Sequence, residues 1–362
     1  MLALGLGGRV MFVDEVTGEV RWAVEAHIGE NSQPKVAMSK DGRLCASVGR
    51  FDEHWTLWEA ANGEVHRVGD SHDGTGACIC GVPKVGSRLL WEPLEGCPVV
   101  AHSGRGIWAV AFSPSGLSLA TGGGDGAVIL WNVQTGKAAR RMMEEDPEGV
   151  SALAFSADGS CLSSGTVEGI IFVWDTTTGA MLLRMHEDNP GEVKSLQFSP
   201  TDNNQLASAA EGEVALWDVV QRAMVRTSEE RGRLAVFSPD GRTLATVNGQ
   251  GARDVHLVDA ETGAVRVRVV GHQQVVFCVA FSVDGSKLAS GSRDGTCRVW
   301  DSSTGDLIHT IIVGQAVFSV ASGRDWVRDT PMFEAFAMGH HPRLGVDSPV
   351  LELEVGVVRM IL

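Results

Sequence analysis

The stretch LASGSRDGTCRVWD (residues 288–301) carries Ser290, Asp294 and Trp300, and the GH pair at 271–272 puts His272 upstream of them. Serine, histidine and aspartate are the side chains of a hydrolytic triad. The same stretch also reads as two short apolar runs joined by a DG turn, the pattern of a β-hairpin. Whether it occurs once or many times separates the two readings.

It recurs. GIWAVAFSPSGLSLATGGGDGAVILWNVQTGKA (106–138) returns as GVSALAFSADGSCLSSGTVEGIIFVWDTTTGAM (149–181) and as EVKSLQFSPTDNNQLASAAEGEVALWDVVQRAM (192–224). A worn copy follows at 232–265, and the clearest copy is VVFCVAFSVDGSKLASGSRDGTCRVWDSSTGDL (275–307). Phe112, Phe155, Phe198, Phe237 and Phe281 are separated by 43, 43, 39 and 44 residues. Trp131, Trp174, Trp217 and Trp300 keep the same register, with Val258 in the worn copy and Trp58 in a weaker copy at 35–65. SPSG, SADG, SPDG and SVDG mark one hairpin turn, DG or EG a second and TG a third. Each unit is therefore about four antiparallel strands, with a period near 42 residues.

With their GH starts and WD ends (GH271–272 and WD300–301), these units resemble WD repeats over residues 1–323. The resemblance implies an all-β fold, a β-propeller of four-stranded antiparallel blades. It also implies a role for the polar residues, because in that family the GH histidine, a second-strand Ser or Thr, the turn Asp and the Trp form one hydrogen-bonded network per blade. The matching residues are His272, Ser290, Asp294 and Trp300; His102, Thr121, Asp125 and Trp131; Ser164, Glu168 and Trp174; and His186, Ser208, Glu211 and Trp217. A triad is needed once, beside an oxyanion hole. A constellation repeated round a ring braces the structure, and no G-x-S-x-G elbow accompanies it, so a propeller-fold hydrolase is the disfavoured alternative.

A propeller has to close, since an open end leaves bare strand edges. The chain begins mid-unit: residues 2–26 supply a second, third and fourth strand. QAVFSVASG (315–323) matches VVFCVAFSV (275–283), so it is expected to pair with residues 2–6 as the missing first strand. Seven blades are expected if 72–101 is set aside as an insertion, and eight if that segment is a reduced blade, as RLLWEPLEG suggests. The segment holds Cys78, Cys80 and Cys97 between His72 and His102. C-x-C is not a usual zinc spacing, and the expectation is no metal and no cofactor. No nucleotide-binding or metalloprotease motif appears. Residues 324–362 form a tail outside the repeats, expected as a short helical or clasp segment over the closure blade. LELEVGVVRMIL (351–362) is faintly similar to the opening of an F-box, and this supplies an alternative, a ubiquitin-ligase substrate adaptor docking through the tail.

The bulk properties suit an interaction module. The net charge is −15, from 45 acidic and 30 basic residues, which repels nucleic acid and anionic membranes alike. The N-terminal MLALGLGGRVMFVDE has no basic residue ahead of its apolar run and does not read as a secretory signal. Seven scattered cysteines suggest reduced thiols, hence an intracellular, cytoplasmic or nuclear protein. The resemblance implies a non-enzymatic scaffold or adaptor, a monomer within larger complexes, whose partners are other proteins or peptides. In the family's geometry the residue after the first strand's leading apolar residue points to the channel rim. Here these are Trp108, Ser151, Lys194, Phe277 and Phe318.

Overall fold

The computed structural model describes residues 1–14, 17–26, 33–49, 54–70, 80–81, 106–144, 148–186, 191–210, 213–221, 223–227, 232–248 and 251–322. Within them the chain forms seven antiparallel sheets. Blade I joins Val317–Ser322 to Leu2–Leu6, Arg9–Val13 and Val20–Glu25. Blades II to V begin with the strands Lys35–Met38, Ile107–Phe112, Val150–Phe155 and Ser195–Phe198. Blades VI and VII begin with Ala235–Phe237 and Val276–Phe281, and in blades II to VII each next strand in sequence pairs with the last.

These first strands pack one against the next round the whole ring, and Val276–Phe281 packs against Val317–Ser322. Closure is by pairing of the two ends, with Leu2 opposite Ser322, Ala3 opposite Ala321 and Leu4 opposite Val320. All five residues of Leu2–Leu6 are buried, so the pairing gives a core strand its second hydrogen-bonded edge. The first strands of blades II and III also pack directly together, which leaves no place between them for an eighth blade. Of the segment 72–101 only Cys80–Gly81 is described; it adds a short fifth strand to the outer edge of blade II beside Val65–Asp70. The remainder of that segment and the tail 324–362, with its helix, clasp and F-box readings, lie outside the described residues.

The repeated turn residues account for the hairpins. In blade VII, Ser282 Oγ donates to Asp284 Oδ1 (2.6 Å) and accepts from the Lys287 N–H (2.9 Å), while Gly285 supplies the left-handed residue at φ +74°. At the outer hairpin Asp301 Oδ1 accepts from the N–H groups of Ser303 (2.8 Å) and Thr304 (3.0 Å). In every blade the third-to-fourth strand register slips by one residue at the Trp position, as between Val299 and Trp300 or Leu57 and Trp58. Such a bulge bends the edge and raises the local twist.

The core lies between blades. One cluster joins Leu57 and Trp55 of blade II to Ile129 and Trp131 of blade III; another joins Leu2 and Leu4 to Val299 and Ile311. The approach is close enough to exclude a side chain. A Cβ on Gly122, Gly165 or Gly291 would sit 2.5 Å from a methyl of Val150, Val193 or Val317, each on the next blade. Gly291 marks the closure seam. Gly291→Val is expected to cost about 1–3 kcal/mol by overpacking, read as a lower urea midpoint with an unchanged slope. An unchanged midpoint would show that the seam is not packed this tightly.

Candidate functional site

Blade VII brings four polar side chains into one chain of hydrogen bonds. His272 Nδ1 lies 2.9 Å from Asp294 Oδ2, and His272 Nε2 lies 2.7 Å from Ser290 Oγ. Trp300 Nε1–H donates to the same Oγ at 2.8 Å. Asp294 also accepts from the N–H groups of Gln273 (2.9 Å) and Thr296 (3.0 Å) and from the Thr296 hydroxyl (2.6 Å). Burial pushes the Asp294 pKa up, but the bonds from Thr296, Gln273 and His272 outweigh it and hold the carboxyl at about 2. An ionised Asp294 can only accept, so Nδ1 carries the imidazole proton and Nε2 accepts from Ser290. Burial pushes the His272 pKa below its ordinary value, against the pull of Asp294.

The connectivity is that of a Ser–His–Asp triad; burial decides against chemistry there. Ser290 is 0% exposed, and its oxygen already accepts the Trp300 N–H. A nucleophile needs an open face and an oxyanion site beside it, and this hydroxyl is walled in by its own blade.

The Trp-to-hydroxyl bond repeats at 2.8 Å in five blades: Trp58–Ser47, Trp131–Thr121, Trp174–Ser164, Trp217–Ser208 and Trp300–Ser290. Val13 and Val258 take the Trp place in blades I and VI. Ser47 escaped the sequence reading because it lies eleven residues from its Trp, against nine or ten elsewhere. Asp125 accepts from the Ala127 N–H (3.2 Å) and pairs with Arg141 (3.5 Å). His102 and Glu211 lie outside the described residues.

Two assignments are corrected. His186 is exposed and ends the fourth strand of blade IV opposite Ile170, so it is no buried link to Ser208. Its spacing explains this, since it stands twelve residues before Phe198, whereas His272 stands nine before Phe281. Glu168 is exposed as well, so it is no buried link to Ser164.

The five rim residues line a single cavity of about 200 Å³ at the inner strands, together with Lys35, Glu192 and Arg233. Phe277 and Phe318 stack with ring centroids 5.3 Å apart and planes 18° from parallel. The Trp108 ring lies over Gly149, where a Cβ would come within 2.3 Å of it. All three aromatics are half-buried. Ser151 is buried, and its hydroxyl is spent on the carbonyls of Val193 (2.7 Å) and Gly165 (3.2 Å), tying blade IV to blade V. Lys194, Lys35 and Arg233 outnumber Glu192 at this mouth, opposite in sign to the acidic chain as a whole.

Among the described residues no cluster of His, Cys, Asp and Glu could hold a metal, and no helix is long and apolar enough to cross a membrane. Cys78, Cys97 and His72 lie outside them.

Two measurements test the network. Trp300→Ala should cost roughly 3–5 kcal/mol as a large buried truncation, and Asp294→Asn less. The pH dependence follows from the depressed pKa values. The folded pKa of each group lies below its unfolded value, about 6.5 for His272 and about 4 for Asp294. The unfolded chain therefore binds more protons. Stability is full above about pH 6.5 and falls with acidification, first through His272 and below about pH 4 also through Asp294. The wild-type melting temperature should drop more between pH 7 and 5 than that of His272→Gln. Equal drops would mean that the folded ring titrates like a free one.

Comparison with known proteins agrees with this architecture. The family model "WD domain, G-beta repeat" matches residues 96–132, 141–175 and 264–301. The THO complex subunit 6 homolog of Danio rerio is 28% identical over 103 residues, 25% of this chain and 31% of that protein. Small ribosomal subunit protein RACK1y of Oryza sativa subsp. japonica is 32% identical over 93 residues, 25% of this chain and 28% of that protein. The match thus spans less than a third of either relative. In fold, the chain is similar to the crystal structure of the Cps50 (Swd1) β-propeller domain of Myceliophteria thermophila, with a TM-score of 0.51 and 20% identity over 56% of this chain and 70% of that one. The family model thus marks WD repeats in three stretches of this chain, and the seven blades closed by the two ends of the ring give it the fold of a seven-bladed β-propeller.

Proposed function

We propose that the protein is a non-enzymatic interaction scaffold that grips a polypeptide partner at the mouth of its channel. The observation carrying this reading is the grouping of Trp108, Phe277 and Phe318, all half-buried, around one cavity of a closed ring. Aromatic side chains held rigid and partly exposed are the usual anchors of protein interfaces. The stack of Phe277 on Phe318 and the seat of Trp108 on Gly149 hold the rings in place before a partner arrives, which lowers the ordering cost of binding. The sealed Ser290 hydroxyl supports the absence of hydrolysis. The free thiols of Cys45, Cys161, Cys278 and Cys297 support an intracellular setting, and burial raises the pKa of Cys45, Cys278 and Cys297, which makes them packing groups rather than reactive ones.

In this reading residues 1–323 are the propeller domain, 72–101 is an insertion in its sequence rather than an eighth, reduced blade, and 324–362 is a tail outside the repeats. Ser151 is a brace between blades rather than a partner contact. Affinity purification with mass spectrometry identifies the partner. Trp108→Ala and Phe318→Ala should then weaken its binding about tenfold or more while shifting the melting temperature by only a few degrees. Unchanged affinity together with a large loss of stability would assign these rings to blade packing alone.

A further inference from the structure

The outer strand of a blade presents N–H and C=O groups to which another strand can add, and charged side chains are a common guard against that. The outer strands Val20–Glu25, Val65–Asp70, Ala138–Met142, Met181–His186, Ala223–Thr227 and Val265–Val269 all carry arginine, as at Arg21, Arg67, Arg140, Arg184, Arg226 and Arg266. The outer strand of blade VII, Leu307–Ile312 (LIHTII), has no Lys, Arg, Asp or Glu. Three of its aliphatic side chains stand in solvent instead: Leu307 is 48% exposed, Ile308 39% and Ile312 52%. Blade VII is described without a break from Val276 to Ile312, and its outer edge pairs with no further strand among the described residues. Blade II shows that an outer edge of this ring can take one more strand, since Cys80–Gly81 lies beside Val65–Asp70.

The hydrogen bonds of this strand fix the register in which a partner fits. The Val313 N–H is turned inward to the Gly295 carbonyl (2.9 Å). Alternation then turns Ile311 inward and leaves the N–H and C=O groups of Thr310 and Ile312 facing out. In an antiparallel pair, outward-facing residues stand opposite one another. A copy of the same strand meets that condition about a two-fold axis through Thr310. Thr310 then faces its own copy, and Ile308 faces Ile312 twice over, so apolar meets apolar. Charge agrees with this register. Exposed Asp306 comes opposite Gly314 of the second copy, and Gly314 is bonded to the Gly295 carbonyl (3.1 Å) at the end of the turn that carries exposed Arg293. The same operation on any other blade would gather arginines against arginines.

We propose that the outer edge of blade VII is a self-association surface, across which a second copy of this chain adds its own Leu307–Ile312 antiparallel, so that two four-stranded blades become one continuous sheet. The contact is isologous, with each copy giving and receiving the same groups, and so it closes at two subunits. An edge pairing falls below the roughly 1,200 Å² of a standard interface, so the pair forms in the micromolar range and comes apart on dilution. The family resemblance implied a monomer; this edge argues for a weak dimer. None of the channel-mouth residues belongs to the strand, so the surface stands or falls separately from the mouth.

The test is sedimentation velocity of the full chain between about 1 and about 200 µM. The weight-average sedimentation coefficient should rise with concentration from that of a monomer toward that of a dimer. Thr310→Arg gives blade VII the guard that the other outer strands carry, and should weaken association about tenfold or more. Thr310→Pro removes the outward N–H without breaking a bond inside the blade, and should act in the same direction. Val225→Arg places the same charge at an exposed site on the outer strand of blade V and should leave association unchanged. If one Thr310 variant does not fold, which its melting curve reports, the other variant and the concentration series of the unaltered chain decide the matter. A monomer over the whole range, a dimer that the Thr310 variants leave intact, or equal weakening by Val225→Arg would overturn the proposal.

Discussion

A strand buried in a core cannot leave one of its edges unpaired. Leu2–Leu6 is buried along its whole length, and Arg9–Val13 pairs only one side of it. The other side needs a row of donors and acceptors, and Val317–Ser322 provides them from the far end of the described chain. Once the two ends are joined, every inner strand has a neighbour on each side, and the apolar faces of adjacent blades are covered in turn. The glycines at 122, 165 and 291 let those faces approach to backbone distance. Closure thus converts weakly self-sufficient four-stranded sheets into one packed body.

Within this ring the polar network is an answer to burial. A tryptophan at the bulge between third and fourth strands adds apolar area to the blade interface, but its N–H must then be paired inside. A second-strand hydroxyl pairs it in five blades, and Val13 and Val258 avoid the need in the other two. In blade VII the chain of partners runs on through His272 to an ionised Asp294, and every group in it is satisfied. The same residues on an exposed turn would be candidates for catalysis. What separates the two outcomes is solvent access and the second bond to the serine oxygen, not the identity of the side chains.

The channel mouth has a different character. Its aromatics are held by each other and by glycine backbone, yet they are only half covered. Lys35, Lys194 and Arg233 gather there on a chain of net charge −15, which focuses a local field unlike that of the remaining surface. A rigid ring presenting such a patch is suited to holding another chain, and this rests on the geometry rather than on fold membership alone.

What the sequence by itself determined was the repeating unit and the ring. Alternating apolar runs and Ser-x-Asp-Gly turns act over a few residues, so they are legible without coordinates. Similarity between 315–323 and 275–283 was enough to name the closing strand, because each blade repeats the same strand-by-strand order. What only the tertiary structure decided was which polar groups meet. His186 fails where His272 succeeds because loop length, not residue type, sets where an imidazole arrives, and Ser47 was hidden by one extra residue in its spacing. The spent hydroxyl of Ser151 is likewise a fact about neighbouring blades. Such contacts join residues distant in the chain, and they depend on how closely two sheets pack, a quantity that no local pattern encodes.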